Sequence, residues 1–307
     1  PLAETFRMVK LRGSWGLVGN DQIGGNRFVY LSDIDLGGQG YTTGINQDYT
    51  RNGPSYLRFA NPNITWEVAE KLNLGMDVEL TNGINLVVDV FKEDRTGIFL
   101  TRQIIPESFG TLGTTVFGNL GAVENKGIDV SLDYTKAFTR DFQMTLKGTF
   151  TFARNTVLAN DEPPFTKYKN LSLVGHPINS LLGYDAERLF IDGAEIEKSP
   201  LQQLGGFIQA GDIKYRDVTN HIDGLNMVNS DDRIRMGYPT VPEIVYGFGP
   251  SFKYKKLDFS FFLQGISRTS FFISGLHPFG TSSIRNVLEF IDDDRSSTSN
   301  PTIYADY

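Results

Sequence analysis

Hydrophobic and polar residues alternate along much of this chain with a period of two. From Ile64 to Leu80 the even positions are Ile64, Trp66, Val68, Glu70, Leu72, Leu74, Met76, Val78 and Leu80, and only Glu70 departs from the apolar set. The odd positions are small, polar or charged, with Glu67, Lys71, Asp77 and Glu79 among them. Successive side chains of a strand point to opposite faces, so this pattern predicts a strand with one apolar and one wet face. Its span exceeds the ~5–6 residues usual in a globular strand.

The pattern recurs. Ile84, Leu86, Val88 and Val90 alternate with Asn85, Val87 and Asp89; Ile128, Val130, Leu132, Tyr134 and Phe138 alternate with Asp129, Ser131, Asp133 and Thr135. Phe142, Met144, Leu146, Phe150 and Phe152 follow, then Ile244, Tyr246, Phe248, Phe252 and Tyr254, and then Leu257, Phe259, Phe261 and Leu263. Val9, Leu11, Trp15 and Leu17 begin the series. Thr81-Asn82-Gly83 carries the Asn-Gly signal of a tight hairpin turn. Short links at 81–83, 139–141 and 255–256 are interleaved with long ones at 18–63, 96–123 and 155–240. Long links without periodicity are unusual inside a compact domain. Transmembrane β-barrels have this asymmetry, with short turns at one end and long loops at the other. Aromatics near strand ends (Phe138, Phe142, Phe150, Phe152, Tyr254, Phe259) agree with interfacial girdles. A soluble β-sandwich also alternates, but its strands are shorter and carry less charge on one face.

Composition narrows the classes. The chain has 307 residues, no cysteine and a net charge of −7. A disulfide scaffold and a cysteine-based zinc site are excluded. The acidic balance argues against a nucleic-acid partner. No apolar run approaches the ~20 residues of a spanning helix, a test that does not see barrels. Pro1 is not an initiator Met and no signal peptide follows it, so the chain is expected to be processed or a piece of something longer.

Several segments, in order, resemble the TonB-dependent outer-membrane transporters of the SusC-like branch, which import glycans or peptides. They are Asn61-Pro62-Asn63-Ile64-Thr65-Trp66-Glu67, Glu70-Lys71-Leu72-Asn73-Leu74-Gly75 and Val123-Glu124-Asn125-Lys126-Gly127-Ile128-Asp129. Gly175-His176-Pro177-Ile178, Gly183-Tyr184 and Gly211-Asp212-Ile213-Lys214-Tyr215-Arg216-Asp217 come next. The last are Asp231-Asp232-Arg233, Gly237-Tyr238-Pro239, Pro242-Glu243-Ile244-Val245-Tyr246-Gly247-Phe248 and Phe261-Phe262-Leu263-Gln264-Gly265. The resemblance implies an all-β fold: an antiparallel transmembrane β-barrel with long extracellular loops. Residues 1–307 are expected to be a portion of that single domain, its C-terminal part, with no plug domain visible. Large barrels of this kind have about 22 strands, and seven or so are evident here. The resemblance further implies the bacterial outer membrane, active uptake of an oligosaccharide or peptide, a SusD-like surface lipoprotein as partner, and energy coupling through TonB. A passive porin-like channel and a soluble β-rich binding or adhesion module are the competing readings.

The chain carries no recognisable chemistry. His176, His221 and His277 lie far apart, and no nucleophile signature places a serine beside any of them. No catalytic, cofactor-binding or metal residue is assigned, no substrate-binding residue is named, no cofactor is expected and an enzyme is not expected. The loop 217–232 is rich in oxygen ligands, and in the family this region often looks like a calcium loop. Here Thr219 and His221 break the alternation that would converge on one ion, and Asp-rich turns explain the composition. Asp292-Asp293-Asp294 reads as a solvated segment. Tyr41, Tyr49, Tyr56, Phe109 and Phe117 are candidates for stacking on sugar or contacting a partner. Gly37-Gly38-Gln39-Gly40 reads as flexible loop.

Overall fold

A computed structural model describes residues 5–105, 114–165 and 167–272, the side chains of Gln39 and His221 apart. His277, Phe109 and Asp292–Asp294 lie outside the described residues. The strands are β1 (Phe6–Asn20), β2 (Asp33–Thr43), β3 (Tyr49–Arg58), β4 (Glu67–Leu80), β5 (Ile84–Thr101), β6 (Phe117–Ala137) and β7 (Phe142–Ala159). Then come β8 (Leu181–Gly183), β9 (Ala186–Leu189), β10 (Leu201–Gln202), β11 (Ile213–Tyr215), β12 (Met227–Val228), β13 (Ile234–Met236), β14 (Ile244–Tyr254), β15 (Leu257–Ser260) and β16 (Leu263–Ser267). Helices α1 (Gly193–Lys198) and α2 (Asn220–Asp223) are single turns.

One contact unit holds residues 1–164, 173–178 and 242–268. Its sheet has eight strands, ordered β1-β4-β5-β6-β7-β14-β15, with β16 also on β14. Every pairing in it is antiparallel. At 18, 21 and 18 residues, β5, β6 and β7 far exceed the usual strand. The turn after β4 requires its glycine: Gly83 has φ +88°, its N–H donates to the Leu80 carbonyl at 3.1 Å, and a Cβ would meet the Thr135 carbonyl oxygen. β15 and β16 keep one register against β14, with Phe252 opposite Phe259 and Phe248 opposite Leu263. They separate at the level of Pro250, which accepts from the Phe261 N–H at 3.3 Å but has no N–H to return.

The strands exceed the expected limits at the long-link ends. β5 continues past Val90 to Thr101, and β6 begins at Phe117. The link expected at 96–123 is therefore 102–116. A bulge at Gly97 (φ +66°) marks the extension, and the Asn119 amide bridges it, donating to the Gly97 carbonyl at 2.7 Å and to the Thr65 carbonyl at 2.8 Å. The link between β1 and β4 contains the β2–β3 hairpin, and Gly37–Gly40 lie inside β2 rather than in a loop.

The second unit holds residues 165–172, 179–241 and 269–307. Its pairs are short: β8 with β13, β9 with β11, and β10 with β12. Side chains stand in for missing strand rungs. Gln202 donates to the Ile213 carbonyl at 3.0 Å and accepts from the Tyr215 N–H at 2.6 Å. Asn170 donates to the carbonyls of Asp231 (2.6 Å) and Arg233 (2.8 Å). Phe190 and Val228 are among its buried apolar residues.

Candidate functional site: the two faces of the long sheet

Parity along the strands becomes chemistry when the register aligns them. One cross-strand row reads Leu11, Met76, Val88, Val130, Phe150, Tyr246. The next reads Gly13, Leu74, Val90, Ile128, Phe152, Ile244. Six strands thus present a continuous apolar face, and none of the described residues covers it: Leu11 is 77% exposed and Leu74 59%. A patch of this extent marks a surface that meets lipid or another protein.

The face is bounded at both ends. Toward the short turns, Phe142 stacks at 6.5 Å on Phe252 and Phe252 at 6.5 Å on Phe259, with Phe138 5.5 Å from Phe142. Lys136 and Lys255 lie over the rings of Phe138 and Tyr254 at 5.3 and 5.5 Å. Toward the long links the same face turns ionic. Lys92 pairs with Asp94 (2.7 Å) and Glu124 (3.1 Å), and Lys126 with Glu124 (2.8 Å). Glu70, the exception in the β4 pattern, belongs to this rim and accepts from the Trp15 indole N–H at 2.8 Å.

The opposite face is polar. Arg12 on β1 reaches across β4 to two strands at once, bonding Asp77 on β4 at 2.8 Å and Asp89 on β5 at 2.9 Å. Gly75 leaves the passage open, since a Cβ there would stand 2.8 Å from the guanidinium carbon and against the Asp89 carboxylate. Asp129 lies directly opposite Asp89 in the register, so Arg12 offsets repulsion between like charges. Higher up, Lys71 and Arg95 share Glu93 at 3.4 and 2.6 Å, and Arg95 also meets Glu67 at 2.8 Å. Partly wet pairs such as these contribute little each and serve mainly to fix register.

In the second unit, Asp217, Asp223 and Asp232 gather around the buried Thr219. Asp232 accepts from the Thr219 N–H (2.9 Å) and hydroxyl (2.8 Å) and from the Asn229 N–H (2.8 Å). Asp217 caps Asn220 and Met227 N–H groups; Asp223 takes the Leu225 N–H, the Thr219 hydroxyl and the Tyr168 hydroxyl. The carboxylates therefore fold the loop. Burial pushes the Asp217 carboxyl up, whereas the Leu225 N–H holds that of Asp223 down. Among the described residues no group of three or more His, Asp or Glu is placed to hold a metal. Nearby, Arg188 bonds Glu195 through its two terminal guanidinium nitrogens, and it holds that carboxyl down to about 2, aided by the Ile191 N–H and Lys214.

The other aromatic candidates are scattered. Tyr41 and Tyr49 are exposed on the β2–β3 hairpin, Tyr56 stacks on Phe59 at 4.6 Å, and Phe117 stacks on Phe99 at 4.9 Å. His176 sits in a turn, its carbonyl accepting from the Val157 N–H at 2.9 Å. The structure does not bring these residues into one site.

Comparison with known proteins follows the same geometry. A family described as TonB dependent receptor-like, beta-barrel matches residues 13–269. The TonB-dependent receptor P26 of Formosa agariphila is 27% identical over 282 residues, 85% of this chain and 26% of its own length. The TonB-dependent receptor SusC of Bacteroides thetaiotaomicron is 23% identical over 278 residues, 83% of this chain and 24% of its own length. The RagAB peptide importer in its open-open state superposes with a TM-score of 0.63 at 20% identity, covering 87% of this chain and 26% of that one. That likeness establishes a shared fold. The chain spans about a quarter of the length of the curated relatives it matches.

Proposed function

The chain belongs to the TonB-dependent receptor-like β-barrel family, and on that premise we propose that it forms part of the wall of an outer-membrane importer. Residues 1–307 are one portion of a single barrel domain. The apolar face meets lipid, and the polar face with Arg12, Asp77 and Asp89 lines the interior. The wall supplies no catalysis; its task is to enclose a path for an oligosaccharide or peptide. A SusD-like surface lipoprotein and TonB-coupled energy are the partners of the whole protein.

The observation that carries this reading is the bounded apolar face. From Phe142 to Phe152 along β7 is ten residue steps, about 33 Å at ~3.3 Å per residue. At the ~35–45° tilt of barrel strands this projects to about 25 Å, the height of an outer-membrane apolar band. A soluble sheet would cover such a face with a second layer. RagAB is described as a peptide importer, and SusC as a TonB-dependent receptor, which favours transport over adhesion.

The test uses the intact protein that carries this stretch. It should partition with detergent and insert into vesicles. Uptake of labelled oligosaccharide or peptide in cells should stop when the proton gradient is collapsed. Uptake that persists identifies a passive pore, and partition into the aqueous phase identifies a soluble module.

A further inference from the structure

We propose that a recess beside β1 and β4 binds the sugar headgroup of an outer-leaflet glycolipid. The proposal rests on the wall reading above. The recess, about 380 Å³, is lined by Asp21, Phe28, Tyr30, Ile64, Thr65 and Trp66, among others. Three aromatic rings in it are open to solvent: Phe28 is 61% exposed, Tyr30 55% and Trp66 67%. Phe28 and Tyr30 meet edge to face at 6.2 Å.

The loop is built to hold those rings out. Phe28 has φ +55°, a left-handed conformation in which the Cβ of a bulky residue crowds its own carbonyl. The cost is sustained by its surroundings. Val29, between the two rings, is buried, and its carbonyl accepts from the Asn61 N–H at 3.0 Å. The Phe28 carbonyl accepts from the Leu31 N–H at 2.9 Å, closing a turn. Strain retained at an exposed aromatic points to a binding role.

Position and charge choose the occupant. The Trp66 ring lies over Gly19, where a Cβ would be 2.8 Å away, and so on the apolar side of the sheet. Gly19 pairs with Val68, one outward step beyond Glu70 of the ionic rim. The recess therefore stands at headgroup height outside the hydrocarbon, on the face turned from the lumen that cargo crosses. Flat apolar rings suit the C–H face of a pyranose. Asp21 and Thr65 accept or share hydroxyl hydrogens, and the Asp21 charge disfavours a phosphate. A neutral or amino sugar fits.

The intact protein is reconstituted into phosphatidylethanolamine bilayers containing a minor fraction of monoglucosyl diacylglycerol or, separately, phosphatidylglycerol. Lipid retained after detergent extraction is quantified by mass spectrometry. The glucosyl lipid should be enriched over phosphatidylglycerol. Phe28→Ala and Trp66→Ala should each lower that enrichment about tenfold, equivalent to ~1.4 kcal/mol. Trp66→Phe, which keeps a stacking face, should retain most of it. Asp21→Asn, an exposed change that leaves the rings in place, should lower it too. Equal retention of both lipids, or enrichment unaffected by these variants, overturns the proposal. So does binding of free glucosyl oligosaccharide at the recess without glycolipid enrichment, which would make it a cargo site. Failure to insert into bilayers would instead refute the wall reading.

Discussion

Leu132→Arg separates a lipid-facing sheet from a wet one. Leu132 lies in the middle of the apolar face, between Leu86 and Gly148, and is 44% exposed. In water, a residue this open tolerates substitution within about 0.5 kcal/mol. In a bilayer, an arginine at mid-depth costs about 2–4 kcal/mol, and about 0–1 near an interface. The two environments thus differ by roughly thirty- to a thousandfold in the folded-to-unfolded ratio. Val68→Arg, beyond the ionic rim, supplies the internal control and should cost the interfacial amount. The assay is reversible denaturant unfolding of the intact protein in vesicles, with the midpoint and slope read together. A large penalty at Leu132 with a small one at Val68 supports lipid contact. A Leu132→Arg penalty within about 0.5 kcal/mol, or equal penalties at both sites, refutes it.

Other outcomes follow from single contacts. Asp232→Ala strips the acceptor from the Thr219 N–H and from the Asn229 N–H, while the Thr219 hydroxyl keeps Asp223; each buried donor left unpaired costs about 1–3 kcal/mol, and those amides should exchange faster with deuterium. Glu195, held at about 2 against an ordinary 4.5, lends support that is complete above the ordinary value and lost as pH falls toward about 2. Exchange at the Ile191 amide should therefore stay slow at mildly acidic pH and quicken on further acidification, and Glu195→Gln should abolish that dependence. Gly83→Val forces a side chain into φ +88° against the Thr135 carbonyl, at a cost of at least about 1–2 kcal/mol, read as a lowered unfolding midpoint.

The parity of β4, β7 and β14 was legible because one face of each is apolar over most of its length and the other is polar. The outer halves of β5 and β6 were not. Beyond Val90 and before Ile128 the apolar face gives way to Lys92, Asp94, Glu124 and Lys126 while Phe91 and Val123 fall on the other face, so the two-residue period vanishes while the backbone stays extended. Glu70 looked like a flaw in the pattern and is instead the β4 member of that rim. The β2–β3 hairpin was hidden by its glycines and by register shifts at Asp35, Gly38 and Tyr41. The second unit has strands of two to four residues, too short for any period. Its order comes from Gln202, Asn170 and the aspartates, whose partners are set by the fold. The recess at Phe28 rests on a backbone angle, for which the Phe-Val-Tyr spacing alone gives no sign.

On the wall reading, the aromatic row at the short-turn end of the apolar face and the ionic rim at the other end fix a thickness. A wall about 25 Å high matches a thin bilayer and is mismatched to one of ~30 Å hydrocarbon. In the thicker membrane, lipids around β4–β7 must shorten, or the strands must stand more upright, and either response draws like-sized neighbours together to share the deformed annulus. The spacing from Phe142 to Phe152 is in this sense an address, biasing the protein toward a membrane of matching depth and toward company of equal height.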